Sequence, residues 1–141
     1  MGRTQSFDRD TVVRSAREVF WRDGFENASI PDLERATGLS RSSIYNAFGS
    51  KRGLFDESVQ SYLDEVIRPR LRPLMQDPVE PGALVTYLDG LRDAFVRVGS
   101  FPAAHGCLLI NAASAPIAHD PEVARTISDY RDELRHALGR G

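Results

Sequence analysis

The stretch TGLSRSSIYNAFGSK, which ends at Lys51, carries side chains that could bind an anionic partner. Arg41 offers a guanidinium that can donate two hydrogen bonds to the two acceptors on the edge of a guanine, so it is the first candidate for a sequence-specific contact. Ser42 and Ser43 have short side chains, which let the backbone approach a groove closely. Tyr45 and Lys51 could contact phosphates. These residue types favour recognition of double-stranded DNA.

Two short helices are expected to position these side chains. Ser29 can cap the first helix and Ser40 the second, because a serine hydroxyl can accept an unpaired backbone N–H one turn along. Gly38 is expected to end the first helix. Such a pair has the dimensions of a helix-turn-helix, whose second helix enters the major groove with its N-terminal residues towards base edges. Ile44 and Phe48 would then pack inward.

Apolar residues recur at helical spacing along nearly the whole chain, and no stretch alternates as a strand does, so the predicted fold class is all-α. Four prolines between Pro69 and Pro81 predict a connection. The stretch GCLLINAASA is apolar on nearly all sides, as a buried central helix would be. Helices are expected at about 9–23, 30–37 and 41–48, from Ser50 to about Pro69, along a stripe of Leu84, Leu88, Leu91, Phe95 and Val98, in GCLLINAASA, and after Asp120 and Pro121.

The charge of the whole chain does not identify a polyanion partner, since 18 basic residues face 20 acidic ones and the formal net charge is −2. The local charge is different. From Arg35 to Phe55 there are four basic residues and no acid, and Lys51 is the only lysine of the chain. A solvated basic face on a helical bundle is the alternative interpretation of this stretch.

Few residues could support catalysis or metal binding. The single cysteine, Cys107, excludes an intramolecular disulfide, and three scattered histidines (His105, His119 and His136) make a poor metal set, so no metal and no cofactor are expected. An enzyme with Cys107 as nucleophile and His105 as base is a second hypothesis. No third orienting residue accompanies that pair, so the protein is not expected to be an enzyme.

The first residues lack the apolar core of a signal peptide, and no run of about 18 apolar residues occurs. These features favour a cytoplasmic protein that neither spans nor binds a membrane.

The segment from Asp8 to Phe55 resembles the DNA-binding domain of the TetR family of bacterial transcriptional regulators. The resemblance is carried by AREVFWRDGFENASIPDLERATGLSRSSIYNAFGSKRGLF. Its elements are the glycine-aromatic pair after the first helix, the short second helix, the Gly-Leu-Ser turn, and Tyr45, Phe48 and Lys51 at the family's spacing. The resemblance implies a three-helix helix-turn-helix domain, expected over residues 1–54, followed by a helical ligand-binding and dimerisation domain, expected over 55–141.

The resemblance also implies roles for individual residues. Ser29 stands where the family usually has a phosphate-contacting threonine, and Tyr45 and Lys51 stand where it grips the DNA backbone. Ala47 departs from the pattern, since many members carry a histidine or tyrosine there, which gives Asn46 more importance. The expected DNA-binding set is Ser29, Ser40, Arg41, Ser42, Ser43, Tyr45, Asn46 and Lys51.

The second half resembles the first part of the family's ligand-binding domain. GCLLINAASA followed by HDPEV is similar to one large subgroup, in which some members use a cysteine at the position of Cys107 to sense electrophiles or oxidants. A buried thiol that acts as a small hydrophobe is the alternative. Aromatic and polar groups that could line a ligand pocket are Tyr62, Tyr87, Phe95, Phe101, His105, Cys107 and Asn111.

The resemblance implies a sequence-specific DNA-binding transcriptional regulator, a repressor released by a small-molecule or electrophile effector. Its expected partners are double-stranded operator DNA, an effector of unknown identity and a second copy of the chain. Family members usually run further at the C-terminus, where two helices build the dimer interface, so a short form or dimerisation through another surface, such as the final helix, is expected. A helical interaction module with weak or absent DNA binding is the alternative function.

Overall fold

The computed structural model describes residues 7–141, and every regular element in this range is helical, which confirms the all-α fold class. Two compact units follow each other along the chain, and the second comprises Leu63–Gly141. The α-helices are α1 Arg9–Asn27, α2 Ile30–Thr37, α3 Arg41–Phe48, α4 Lys51–Tyr62, α5 Arg68–Leu71, α6 Ala83–Val96, α7 Phe101–His105, α8 Leu108–Ala113 and α9 Pro121–Arg140. A π-helical turn spans Leu63–Ile67, and 3₁₀ turns span Arg72–Met75 and Pro116–His119.

Helices α1 and α4 form the floor of the first unit. Gly24, at φ +82°, interrupts α1 at the predicted end of the helix, and one further turn runs to Asn27. The ring of Phe55 on α4 lies edge-on to Phe20 and Phe25 of α1, with centroids 5.2 and 5.1 Å apart. The predicted apolar stripe of α1 is buried throughout: Val12, Val13, Ala16, Val19 and Phe20.

Helix α4 also accounts for the length of the first unit. Val59 and Tyr62 are buried, and the Tyr62 ring lies edge-on to Trp21 at 4.9 Å. Because these contacts tie α4 to α1, the compact unit extends to Tyr62, beyond the expected domain boundary after residue 54. Where the functional domains divide stays a prediction.

The predicted helix-turn-helix is formed by α2 and α3. Ser29 and Asp32 make a reciprocal capping box at the start of α2, in which the Asp32 N–H donates to Ser29 Oγ at 3.1 Å. Gly38 ends α2 in the left-handed conformation, at φ +74°, and its N–H donates to the Glu34 carbonyl at 2.9 Å. Since glycine adopts this conformation without steric cost, the tight turn into α3 follows directly from the sequence.

The second unit departs from the sequence prediction between Pro69 and Pro81. Residues up to Met75 are helical, and only the remainder of the segment is an irregular connection. Pro69 closely follows the π-helical turn and Pro73 lies in the 3₁₀ turn, so each proline, which donates no N–H, falls where the hydrogen-bonding pattern of the helical run changes. The prediction that the whole segment is a connection was therefore wrong.

Two apolar helices of the second unit are less buried than their sequences predict. Helix α6 forms, but Leu88 and Phe95 are 49% and 40% exposed, and Val98 lies beyond the end of the helix. Helix α8 buries Leu108 and Leu109, whereas Ile110 is 62% exposed, so the prediction of a helix buried on all sides was wrong.

Residues 101–119 have the length and apolar composition of a membrane-spanning segment, but the chain does not form one helix there. The segment divides into α7, α8 and a 3₁₀ turn, with Gly106 in a non-helical conformation between the first two. Each piece is far shorter than the roughly 20 residues that cross a bilayer core as a helix.

Helix α9 completes the second unit. Asp120 caps it by accepting the N–H groups of Glu122 and Val123 at 2.9 and 3.3 Å, as predicted. Near its C-terminal end, Arg140 donates to the carbonyls of Leu74 and Gln76 at 2.8 and 2.7 Å. These bonds fasten the end of α9 to the turn that follows α5.

Candidate nucleic-acid interface

Helix α3 has one packed face and one exposed face. Ile44 is fully buried and Phe48 is 8% exposed, so both anchor the helix as predicted. Arg41, Ser42 and Asn46 are exposed, and Tyr45 is 37% exposed. An eight-residue helix buries too little to be stable alone, so these two anchors determine how the exposed face is presented.

Two acceptors serve the N-terminus of α3. The Ser43 N–H donates to Ser40 Oγ at 3.1 Å, which is the predicted cap, and the two hydroxyls of Ser40 and Ser43 also lie 3.1 Å apart. The Arg41 N–H donates to Glu34 Oε2, also at 3.1 Å. Because Ser43 is half-buried and bonded to Ser40, it is less accessible to an approaching ligand than Arg41 or Ser42.

Arg41 and Tyr45 lie one helical turn apart and touch each other. The Arg41 guanidinium carbon lies 5.5 Å from the centroid of the Tyr45 ring, within the range of a cation–π contact. The contact restricts the guanidinium without using its donors, so it reduces the entropy that Arg41 would lose on binding.

Lys51 begins α4 and its ammonium lies over an aromatic ring. The nitrogen is 4.5 Å from the centroid of Phe25, and the side chain is half-buried. Burial lowers the pKa of Lys51, against a smaller opposing effect of Glu26. The ring thus holds the ammonium at the start of α4.

The Ser29 hydroxyl, at the start of α2, is exposed but already engaged as an acceptor. It keeps its own hydrogen for donation to a phosphate. The neighbouring Asp32 has a lowered pKa, chiefly because it is hydrogen-bonded to Ser29. A phosphate at Ser29 would therefore approach the Asp32 carboxylate. The repulsion between them makes Ser29 a weaker phosphate contact than Lys51.

The four basic residues of the 35–55 stretch divide into two pairs. Arg35 is ion-paired with Asp32, and Arg52 is ion-paired with Asp56 at 2.8 Å. Arg41 and Lys51 contact aromatic rings instead. Asp32 and Asp56, which flank the stretch, thus neutralise two of its four positive charges.

Three residues that sequence reasoning missed hold α3 in place. Arg9 donates to the Ala47 carbonyl at 3.1 Å, pairs with both carboxylate oxygens of Glu57, and lies 4.4 Å from the centroid of Phe48. At Gly53, a Cβ atom would come within 2.0 Å of the Phe48 carbonyl oxygen, so only glycine allows α4 to start so close to α3. The sequence signal for Gly53 is a glycine within a helix; Arg9 and Glu57 carry none.

The Arg9–Glu57 pair is expected to stabilise the first unit modestly. Both side chains are about 40% exposed, so exchanging Arg9 for Gln is expected to lower the free energy of unfolding by about 0.2–1 kcal/mol. Urea unfolding followed by the fluorescence of the single tryptophan, Trp21, measures this. Arg22→Gln is the matched control, because Arg22 on the same helix pairs with its neighbour Asp23. A loss no larger than in the control contradicts the assigned role.

The residues expected to line a ligand pocket do not all lie together. Tyr62 is 1% exposed and belongs to the core of the first unit, whereas the others lie in the second. Phe95 is exposed on α6. The rings of Phe101 and His105 lie 5.0 Å apart, and Asn111 donates to the His105 carbonyl at 2.7 Å, so these three form a small group.

Cys107 is half-buried at the start of α8, and its Sγ lies 4.0 Å from the hydroxyl of Tyr130. Burial, with Cys107 as a further cause, raises the pKa of Tyr130. Tyr87 belongs to the same group, since burial raises its pKa while Arg70 lowers it and Cys107 raises it further. The thiol therefore lies beside the phenol of Tyr130, which stays neutral. Within residues 7–141, no cluster of three or more histidine, cysteine or carboxylate side chains is arranged to hold a metal.

Comparison with known proteins agrees with this geometry. The family described as "Bacterial regulatory proteins, tetR family" matches residues 12–58. The chain is 35% identical to the HTH-type transcriptional regulator YezE of Bacillus subtilis and covers 71% of it. It is 30% identical to the HTH-type transcriptional repressor ComR of Escherichia coli over 97% of this chain and 62% of that protein.

A solved structure is similar over nearly the whole chain. It contains the TetR family transcriptional regulator CifR, as a cysteine mutant, complexed with 26-bp double-strand operator DNA. The TM-score is 0.76 at 32% identity, and the match covers 99% of this chain and 75% of that one. The relatives are named as transcriptional regulators, and their family is not enzymatic. The similarity in sequence and in fold shows that the chain belongs to the TetR family of bacterial regulatory proteins.

Proposed function

We propose that the protein is a cytoplasmic, sequence-specific DNA-binding transcriptional regulator that represses its target genes. The observation that carries this proposal is the exposed first turn of α3, in which Arg41 and Ser42 face solvent while Ile44 and Phe48 anchor the opposite side. This arrangement suits a recognition helix whose N-terminal residues meet base edges. Tyr45 and Lys51 would contact phosphates on either side.

The proposed mechanism requires two copies and an effector. Two recognition helices, about one turn of DNA apart, bind two half-sites. An effector bound in the second unit releases the operator if the effector binds the DNA-free arrangement of the protein more tightly than the DNA-bound one. Two features support a role for the second unit. The Cys107 thiol lies beside the neutral phenol of Tyr130. The phenol O–H could donate a hydrogen bond to the thiolate when Cys107 reacts with an electrophile. Exposed apolar side chains on α6, including Leu88 and Phe95, offer a surface for association.

Binding-site selection from fragmented genomic DNA, combined with light scattering of the purified protein, tests the proposal. We expect enrichment of a motif with two half-sites separated by about one helical turn, and a mass of two chains on DNA. If no motif is enriched and random duplex DNA is not shifted at low salt, the helical interaction module is the better description, because even non-specific phosphate contacts should bind under those conditions.

A further inference from the structure

Glu34 lies on α2, but its carboxylate serves the N-terminus of α3. One oxygen, Oε2, accepts the N–H of Arg41, the first residue of α3, at 3.1 Å. Ser40 already provides the N-cap of this helix through Ser43. A carboxylate has two oxygens with about four acceptor positions in total, so the bond to Arg41 leaves most of its capacity available.

The position of this carboxylate relative to DNA follows from the proposed function, on which the inference rests. The first turn of a recognition helix meets the base edges of the major groove. A carboxylate bonded to the backbone of that turn, beside the exposed side chains of Arg41 and Ser42, lies at the same edge. It would be repelled by phosphates. Among base atoms in the groove, it can accept hydrogen bonds from the exocyclic amines of cytosine and adenine.

We propose that Glu34 is a specificity-determining residue, whose second oxygen accepts a hydrogen bond from the exocyclic amine of a base next to the pair read by Arg41. Cytosine N4 is the preferred donor, since carboxylates commonly accept from it. Glu34 disfavours thymine and guanine at that place, because their carbonyl oxygens would face an acceptor. Arg41 thus donates hydrogen bonds to one base, and Glu34 accepts a hydrogen bond from the neighbouring base.

Exchange of Glu34 for glutamine separates this role from helix capping. Glutamine has nearly the same shape, and its Oε1 can still accept the Arg41 N–H. Its amide nitrogen then occupies the place of the second carboxylate oxygen, so a donor replaces an acceptor. The preferred base is expected to change from one with an amine to one with a carbonyl, namely thymine or guanine.

The experiment is selection from a library of random duplexes with the full chain, using the wild type, Glu34→Gln and Glu34→Ala. Arg35→Gln is the matched control, because Arg35 is the next residue of α2 and pairs with Asp32 of the same helix. We expect Glu34→Gln to alter one position of each half-site as described, and Glu34→Ala to accept all four bases there. Exchanging that base pair in the operator should weaken wild-type binding by roughly 5- to 150-fold, the usual cost of one mismatched base pair in a specific site.

Identical motifs for the wild type and Glu34→Gln would overturn the inference and leave Glu34 as a second cap of α3. So would a uniform loss of affinity in both variants with the motif unchanged. The measurement on wild-type protein with altered operators needs no variant: equal affinity for all four bases beside the pair read by Arg41 would overturn the inference even if an exchange unfolds the protein. A wild type that selects no motif contradicts the proposed function instead.

Discussion

Exchange of Ile44 for alanine is expected to lower the free energy of unfolding of the first unit by about 2–5 kcal/mol. Ile44 is fully buried, and α3 itself buries only two side chains, Ile44 and Phe48. The exchange removes three carbon atoms and leaves a cavity at the base of the helix. Since domains of this size are stable by about 5–15 kcal/mol, the loss is a large part of the total.

The measurement should report on the first unit alone, because two compact units need not unfold together. Trp21, the single tryptophan, is buried in α1 against Tyr62 and provides this signal in urea. Ser42→Ala is the control on the same helix, expected to change stability by less than about 0.5 kcal/mol because Ser42 is exposed. A loss below about 1 kcal/mol in Ile44→Ala would show that α3 is not anchored as described.

Exchanges of Arg41 and Lys51 for alanine are expected to weaken DNA binding in two different ways. Arg41→Ala should cost about 1–3 kcal/mol on the selected operator and relax specificity at one base position, because a guanidinium reads the acceptors of a guanine. Lys51→Ala should weaken binding to all sequences alike, because its ammonium would contact phosphate. It should also reduce the slope of log affinity against log salt by about 1.

Titrations of labelled operator and of unrelated duplex at several salt concentrations distinguish these outcomes. Arg22→Ala is the control for loss of a cation, since Arg22 lies on α1, outside the helix-turn-helix and the apolar face of α6, and pairs with Asp23 at 3.0 Å. It should bind as the wild type does. Equal losses on both duplexes and equal salt slopes for Arg41→Ala and Lys51→Ala would show that the two residues do not divide base and phosphate contacts between them.

Local chemistry explains why the sequence predicts the helix-turn-helix so well. The caps Ser29 and Ser40 and the turn at Gly38 act within three or four residues, so their partners can be identified from spacing alone. The inward side of α3 follows in the same way, since Ile44 and Phe48 are one helical turn apart. The predicted burial of Leu88, which followed from helical spacing, and of Ile110, which followed from apolar composition, was wrong, because neither spacing nor composition says whether a neighbouring element covers a side chain.

By itself, then, the sequence determined the helical fold class, the bounds of α2 and α3, and which side of α3 is packed, because caps, turns and periodicity are properties of adjacent residues. Only the tertiary structure decided which basic side chains form ion pairs and which contacts hold α3 in place. Arg9 meets Glu57 from 48 positions away, and Glu34 reaches the α3 backbone seven positions ahead. Such contacts depend on how helices pack, and no local pattern records them. That packing places an acid at the first turn of α3, beside Arg41.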